Sequence, residues 1–153
     1  MNHLPLLIVT GLSGSGKSTA LAALEDAGYF CVDNMPVALL PGFMELPLSS
    51  EPEAAGIAFG MDLREKGFLA NYDPVMTALR GRGFRFELIF LEAGEQALVQ
   101  RFSATRRQHP LARGRGLLAG IRLERQLLEA LRASADHVID STSFNVHELK
   151  QKA

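Results

Sequence analysis

The segment Gly11 to Ser18 has residue types and a spacing that could hold phosphate. It reads Gly-Leu-Ser-Gly-Ser-Gly-Lys-Ser and matches the pattern G-x-x-x-x-G-K-[ST] at every fixed position. Glycines let such a loop curl, so that successive backbone N–H groups point inward at phosphate oxygens. A helix beginning near Lys17 would add the positive end of its dipole. The segment therefore predicts a P-loop that binds the phosphates of ATP or GTP together with Mg²⁺.

The side chains of this P-loop have expected roles. Lys17 is expected to reach the β- and γ-phosphates, and to face solvent when no nucleotide is bound. The Ser18 hydroxyl is placed to ligate Mg²⁺, and Thr19 lies near the α-phosphate. The alternative is a glycine- and serine-rich turn before an ordinary helix. The nucleotide-binding residues predicted in this segment are Gly11, Leu12, Ser13, Gly14, Ser15, Gly16, Lys17, Ser18 and Thr19.

A P-loop also needs a carboxylate to hold the Mg²⁺ shell, and this carboxylate should follow an apolar strand. Asp62 follows the run Ile-Ala-Phe-Gly-Met, and Asp33 follows Phe-Cys-Val. In kinase-like P-loop proteins the third strand lies beside the P-loop strand, which favours Asp62. Asp33 would lie one strand further away, nearer a second substrate. Both are candidate metal ligands with Ser18, and either could instead cap the helix that follows it.

Arginines gather around the end of a predicted helix, at Arg101, Arg106, Arg107, Arg113 and Arg115. Arginines on a mobile segment above a P-loop can neutralise charge on a transferring phosphoryl group. On an ideal helix the first three would not share a face, so they could converge only if the helix frays or ends before Arg106. A solvated helix end is the alternative, and an RNA-binding patch is a third that lacks interleaved aromatic residues. The expected catalytic residues are Lys17, Asp62, Arg106 and Arg107.

Apolar runs alternate with helical patterns five times, which predicts a parallel sheet with helices on both faces. The predicted strands are Leu6 to Thr10, Tyr29 to Val32, Gly56 to Met61, Phe86 to Leu91 and His137 to Ile139. The predicted helices are Lys17 to Ala27, Phe68 to Arg82, Gly94 to Arg106, Leu117 to Ala133 and Asn145 to Lys152. Pro74 could mark the true first turn of the second helix, and Met35 to Glu45 is expected to be a loop with a short helix. The fold class is therefore α/β, a kinase-like three-layer sandwich of the P-loop NTPase type, in one domain over residues 1–153.

Ligands of such sheets bind at the carboxyl ends of the strands. Here those ends are Gly11, Asp33, Asp62, Glu92 and Asp140. The loop that starts at Asp140 and runs to Ser143 is where the nucleotide base would lie, and it does not indicate which base is preferred. The chain has no N-K-x-D motif for reading guanine, which argues against a Ras-like GTPase.

The composition fits one soluble domain in a reducing compartment. The chain has 153 residues, 47% of them hydrophobic, and its formal net charge is -1. That balance gives no global attraction to nucleic acid or to an anionic membrane. Cys31 is the only cysteine, which excludes an internal disulfide and fits the cytoplasm. No leader is evident, and no apolar run approaches the roughly 18 residues of a membrane span.

Five motifs in order resemble those of a known group of proteins. They are G-L-S-G-S-G-K-S-T at 11–19, C-V-D-N-M-P at 31–36, M-D-L-R at 61–64, R-F-S-A-T-R-R-Q-H-P-L at 101–111 and V-I-D-S-T at 138–142. Together they resemble the RapZ/YvcJ family of bacterial P-loop nucleotide-binding proteins, which includes RNase adapter proteins. The resemblance covers nearly all of the chain.

The resemblance implies a kinase-like domain that binds and slowly hydrolyses ATP and GTP. A second nucleotide-associated motif of the family corresponds to Asp62, Leu63, Arg64 and Glu65, where Glu65 departs from the frequent Asn. The family's arginine lid corresponds to the run from Arg106 to Pro110. Family members continue into a second domain, through which small-RNA and protein partners are expected, and these 153 residues are expected to be the first domain alone.

Three functions from different classes remain open at this point. The first is a regulatory domain with slow ATP or GTP hydrolysis, which the resemblance favours. The second is a small-molecule kinase that uses Asp33 as the base for an acceptor hydroxyl. The third is a binding module in which nucleotide is structural and partner contact is the function. Substrate-dependent ADP formation would indicate the kinase, and tight binding without turnover would indicate the module.

Overall fold

The computed structural model describes residues 5–12, 15–44, 55–61, 68–105 and 116–141. Within them the chain alternates strands and helices. The strands are β1 (Leu6–Gly11), β2 (Phe30–Val32), β3 (Ile57–Gly60), β4 (Phe86–Glu92) and β5 (His137–Asp140). The helices are α1 (Lys17–Asp26), α2 (Leu40–Met44), α3 (Phe68–Gly81), α4 (Glu95–Thr105), α5 (Leu117–Leu127) and α6 (Glu129–Ala133), with a 3₁₀ turn at Val37–Leu39 before α2. Each predicted strand agrees with the structure to within one residue at either end.

The five strands form one parallel sheet in the order β2-β3-β1-β4-β5. The central strand β1 pairs with β3 along one side and with β4 along the other. Strand β2 pairs with β3, and β5 pairs with β4, so β2 and β5 are the edge strands. Two expectations are thereby confirmed, because the third strand lies beside the strand that precedes the P-loop, and β2, which precedes Asp33, lies one strand further away.

Helices cover both faces of the sheet, as the uninterrupted apolar run of β1 predicts. Leu6 and Ile8 join the larger core cluster, which contains buried residues from α2, α3, α4, α5 and α6. Leu7 and Val9 face the opposite side, where a smaller cluster packs against α1. All six residues of β1 are buried. The P-loop therefore leaves the sheet from its central, fully buried strand.

Helix α1 ends where the sequence indicates. Gly28 has φ of 98°, a left-handed conformation that glycine adopts without a steric penalty. The N–H of Tyr29 donates to the carbonyl of Leu24, and the N–H of Gly28 donates to that of Glu25, both at 3.0 Å. This pair of bonds is a Schellman motif, which satisfies the last carbonyls of the helix and turns the chain into β2.

Two details of the helix predictions are wrong. The predicted helix from Phe68 is confirmed, but Pro74 lies inside it and does not mark its first turn. The exposed proline ring costs one backbone hydrogen bond, but the buried side chains of Phe68, Tyr72 and Met76 continue the apolar face on both sides of it.

The second wrong helix prediction is the single helix from Leu117 to Ala133, which is interrupted at Leu128. Its φ of -99° and ψ of 4° separate α5 from α6. The hydrogen bonds from Leu128 to Glu124 and from Arg132 to Leu128 continue across the interruption, so it is a local distortion.

Several predicted features lie outside the described residues. They are Ser13 and Gly14 of the P-loop, the second motif Asp62 to Glu65, the lid arginines Arg106 and Arg107 with Arg113 and Arg115, the end of the base loop at Thr142 and Ser143, and the helix from Asn145 to Lys152. No helix in the described ranges is long and apolar enough to cross a membrane.

Candidate functional site: a phosphate cradle at the end of the central strand

The loop after β1 leaves the sheet in close contact with β4. Gly11 has φ of 145°, and the N–H of Leu12 donates to the carbonyl of Leu91 at 3.0 Å. A Cβ at Gly11 would lie 2.1 Å from that same carbonyl oxygen, which no side chain could tolerate. The first glycine of the motif is thus required by the sheet itself, in addition to any phosphate contact.

The loop then turns into the positive end of α1. The N–H of Ser15 donates to the carbonyl of Leu12 at 3.0 Å, and Gly16 has φ of 105° and ψ of 23° at the helix N-terminus. No side chain in the described part of the chain caps this end of α1. The first N–H groups of any α-helix lack a partner within the helix, and together they attract an anion. The arrangement can therefore bind phosphate oxygens.

Buried hydroxyl groups at the end of β1 and in the loop after it fit a polar ligand. The hydroxyls of Ser15 and Thr10 are both buried, and neither has a hydrogen-bond partner within the described residues. Buried polar atoms are nearly always hydrogen-bonded, so such orphans at a loop of this shape indicate a ligand or ordered water. The residues present thus fit a bound polyphosphate.

Lys17 differs from its sequence-based expectation in one respect. Its Nζ atom is buried, so the prediction that the amine faces solvent without nucleotide is wrong. The lysine stem starts at the first residue of α1 and its amine lies within the protein. Ser18, the next residue, is exposed, and Thr19 is half-buried. The two side chains therefore differ in burial: the Lys17 amine, which the motif assigns to phosphate, is buried, and Ser18, which it assigns to Mg²⁺, is exposed.

No cluster of three or more His, Cys, Asp or Glu side chains that could hold a metal occurs among the described residues. Mg²⁺ commonly takes one or two protein ligands and completes its shell with phosphates and water. Of the predicted metal ligands, Ser18 and Asp33 lie within the described residues. The predicted carboxylate, Asp62, directly follows Met61, whose N–H donates to the carbonyl of Val9 at 3.0 Å. The chain thus still contacts β1 at the residue before Asp62.

Asp33 lies at the carboxyl end of β2 and turns toward β3. A Cβ at Gly60 would lie 2.6 Å from Asp33 Oδ1, so the missing side chain of Gly60 provides the room for this carboxylate. The N–H of Asn34 donates to the same oxygen at 2.8 Å. The residue is exposed, and an acidic group is therefore presented to solvent at the end of β2, which β3 separates from β1.

Sequence reasoning missed a contact between the cradle and β5. Ser141, directly after β5, is buried, and its hydroxyl donates to the carbonyl of Ser15 at 2.7 Å. Arg101 of α4 donates to the Ser141 hydroxyl at 3.1 Å and to its carbonyl at 2.6 Å. Burial lowers the pKa of the Arg101 guanidinium, and the charge of Asp140 partly offsets this. Arg101, grouped with the lid arginines by its position in the sequence, thus contacts the end of β5.

Arginines of α5 and α6 hold the turn between β4 and α4. Arg132 forms a two-pronged ion pair with Glu92, at 2.6 and 3.0 Å. Arg125 donates to the carbonyl of Ala93 at 2.7 Å, and Arg122 pairs with Glu95 at 2.7 Å. The carboxylate of Glu92, at a strand end that could have faced a ligand, is therefore engaged with Arg132. These contacts fix where α4 leaves the sheet, and with it the position of Arg101.

A parallel sheet in this order, with a phosphate-type loop between β1 and α1, defines the P-loop kinase-like fold. Solved structures agree. The chain is similar to shikimate kinase from Acinetobacter baumannii, with a TM-score of 0.64 and 17% identity, covering 97% of this chain and 90% of that one. It is also similar to a gluconokinase from Sinorhizobium meliloti, with a TM-score of 0.57 and 16% identity, covering 99% and 90%. At these identities the likeness shows the fold alone.

The chain belongs to the family described as the RapZ-like N-terminal domain, which matches residues 4–153. A relative called nucleotide-binding protein, from Desulfosudis oleivorans, is 57% identical over 150 residues, covering 98% of this chain and 51% of the relative. One of the same name from Myxococcus xanthus is 48% identical over 146 residues, covering 95% and 50%. The family resemblance is confirmed, and the chain spans about half the length of the curated relatives it matches.

Proposed function

We propose that this domain binds ATP or GTP together with Mg²⁺ and hydrolyses the nucleotide slowly, as the P-loop part of a cytoplasmic regulatory protein of bacteria. One observation carries the proposal. The uncapped N-terminus of α1, the left-handed Gly16 and the buried hydroxyl of Ser15 meet in one loop at the end of the central strand. Relatives that span the same region are called nucleotide-binding proteins, which supports this assignment.

The chain's own residues divide the work between backbone and side chains. The N–H groups at the start of α1 bind the phosphate oxygens, and the helix dipole favours their negative charge. Lys17 neutralises charge on the β- and γ-phosphates from within the protein rather than from solvent, which strengthens the attraction because the local dielectric is lower. Residues Ser13 and Gly14 complete the loop in this proposal.

Mg²⁺ is held in this proposal by the Ser18 hydroxyl and by Asp62, and it supplies further neutralisation of the phosphate charge when it is bound. Strand β3 lies directly beside β1, and Asp62 follows Met61, whose N–H still bonds to β1. The other strand beside β1 ends at Glu92, whose carboxylate pairs with Arg132. Asp33 follows a strand that does not touch β1, which makes it the weaker candidate. Arg106 and Arg107 are proposed to act on the γ-phosphate during turnover.

The experiment that tests the proposal measures ATP and GTP affinity of Lys17→Ala, with and without Mg²⁺. We expect affinity to fall by at least about tenfold for both nucleotides, because a hydrogen bond to a charged group contributes about 1.5–3 kcal/mol. Arg85→Ala is the matched control, since Arg85 is an exposed cation just before β4. Equal affinities for the wild type and Lys17→Ala, with an intact circular-dichroism spectrum, would remove Lys17 and the cradle from the proposal.

A second candidate function is phosphoryl transfer from ATP to a small hydroxyl compound. The observation that favours it is the exposed carboxylate of Asp33. This carboxylate packs against Gly60, the last residue of β3, and β3 lies beside the strand that leads into the cradle. Such a group could accept the proton of an acceptor hydroxyl. ADP release that depends on an added sugar or polyol, and that Asp33→Asn abolishes, would identify the kinase. Tight nucleotide binding with no turnover under any condition would instead identify a binding module.

The proposed small-RNA and protein partners would contact mainly the half of the protein that this chain does not span. The net charge of the whole chain, -1, gives no general attraction to RNA and supports that division. RNA binding by these residues alone, at physiological salt, would contradict it.

A further inference from the structure

The hydroxyl of Ser141 can donate one hydrogen bond, and three polar groups lie around it: one donor and two carbonyl acceptors. Arg101 Nη1 donates to it at 3.1 Å, which leaves the hydroxyl proton for an acceptor. The carbonyl of Ser15 lies at 2.7 Å and that of Glu92 at 3.2 Å. The backbone N–H of Ser141 already donates to Glu92 at 2.8 Å. The shorter distance thus assigns the proton to the Ser15 carbonyl.

This bond decides how the peptide between Ser15 and Gly16 is oriented. In a trans peptide the carbonyl and the following N–H point in opposite directions. When the Ser15 carbonyl points to Ser141, the N–H of Gly16 points away from the end of β5. Gly16 adopts φ of either sign without steric cost, so the peptide could turn over if nothing held it. Ser141 supplies that restraint from the carboxyl end of the edge strand β5.

We infer that Ser141 is a positioning residue for the polyphosphate of the nucleotide, and that Arg101 in turn fixes Ser141. The inference rests on the proposed nucleotide binding. Its consequence is that an intact Ser141 hydroxyl is required for phosphate affinity whatever base the ligand carries. Two other roles are conceivable for a residue at the end of β5, contact with the base and simple support of the fold, and they give different results in the same measurement.

The test compares ATP with inorganic tripolyphosphate, which has the phosphates but no base, each with Mg²⁺ in calorimetric titrations. We expect Ser141→Ala to weaken both by about the same factor, on the order of tenfold, since a lost hydrogen bond to a positioned group costs about 1 kcal/mol or more. Ser141→Thr keeps the hydroxyl and should retain most of the affinity. Ser134→Ala is the matched control, because its hydroxyl donates to the Leu131 carbonyl at 2.9 Å, at the end of α6.

Each outcome decides between the roles. Weaker ATP binding with unchanged tripolyphosphate binding would assign Ser141 to the base, and unchanged binding of both would reduce it to support of the fold. Either result overturns the inference while leaving the proposed function in place. A wild-type protein that binds neither ligand overturns both. If Ser141→Ala does not fold, Arg101→Lys decides, because it loses the two-pronged contact and should lower both affinities together by at least about threefold.

Discussion

The hydroxyl of Ser141 lies 2.7 Å from the carbonyl oxygen of Ser15, and the two residues are 126 positions apart in the sequence. One residue belongs to the phosphate cradle and the other follows the last described strand. They meet because β4 pairs with both β1 and β5, which brings the carboxyl ends of these strands to one edge. The cradle is therefore held by β1, α1 and the end of β5 together, and substitutions far away in the sequence should affect it.

The two candidate Mg²⁺ carboxylates can be separated by mutation. Asp62→Asn should weaken Mg²⁺-dependent ATP binding more than Mg²⁺-free binding, because β3 lies beside β1. Asp33→Asn should not, because β2 lies at the edge of the sheet. The measurement is ATP affinity across a Mg²⁺ titration for both variants. A metal effect in Asp33→Asn alone would mean that the two assignments are reversed.

Gly11 is expected to be essential to the fold as well as to the site. Gly11→Ala places a Cβ 2.1 Å from the Leu91 carbonyl oxygen at φ of 145°, so the strand must shift. Strain and overpacking together should lower the free energy of unfolding by about 3 kcal/mol or more. Urea denaturation without nucleotide measures this.

The matched control for Gly11→Ala is Gly42→Ala in α2. A Cβ at Gly42 would meet nothing within 4 Å, so alanine should raise the free energy of unfolding by about 0.5–1 kcal/mol. A loss in Gly11→Ala that is no larger than the change at Gly42 would contradict the close approach of β1 and β4.

Arg106 and Arg107 should matter for turnover more than for affinity. In the lid hypothesis they meet the γ-phosphate only in the closed state, where they stabilise the charge of the transition state. Single changes to Ala should lower kcat by at least about tenfold, or roughly 1.4 kcal/mol of barrier, with KM nearly unchanged. Lys should not rescue fully, because it lacks the planar two-pronged donor. Steady-state hydrolysis rates that are unaltered in both variants and in the double variant would leave these arginines to solvent or to a partner.

Cys31 should react slowly with thiol reagents at pH 8. Burial raises the pKa of its thiol, and the charges of Glu25 and Asp33 raise it further. The thiolate is the reactive form, so a raised pKa lowers its fraction at a given pH and moves the rise in rate to higher pH. The pH–rate profile with DTNB checks this, and the urea-unfolded chain serves as the control. Asp33→Asn should move the midpoint down, and a profile that matches the unfolded thiol would contradict the placement of Cys31 against α1.

The sequence determined most of the fold and the place of the site. The uninterrupted apolar run of β1, the alternation of apolar runs with helical patterns, and the glycine spacing after Leu6 to Thr10 are local signals, because each depends on neighbours within about one element. They predicted a five-stranded parallel sheet and the loop at its centre. The helix from Phe68 was predicted, but the suggestion that Pro74 marks its first turn was wrong, because the apolar face continues on both sides of the proline. The break at Leu128 was missed, because no glycine or proline marks it in the sequence.

Only the tertiary structure decided what surrounds the cradle. The burial of Lys17 Nζ, the room that Gly60 leaves for Asp33, and the contacts of Ser141 with Ser15 and Arg101 have no pattern in the sequence. Each depends on which strands are neighbours and on how far the helices extend beyond them. A hydrogen bond between residues 126 positions apart exists only once the sheet order has brought both ends together, so it could not be inferred from residue types and spacing.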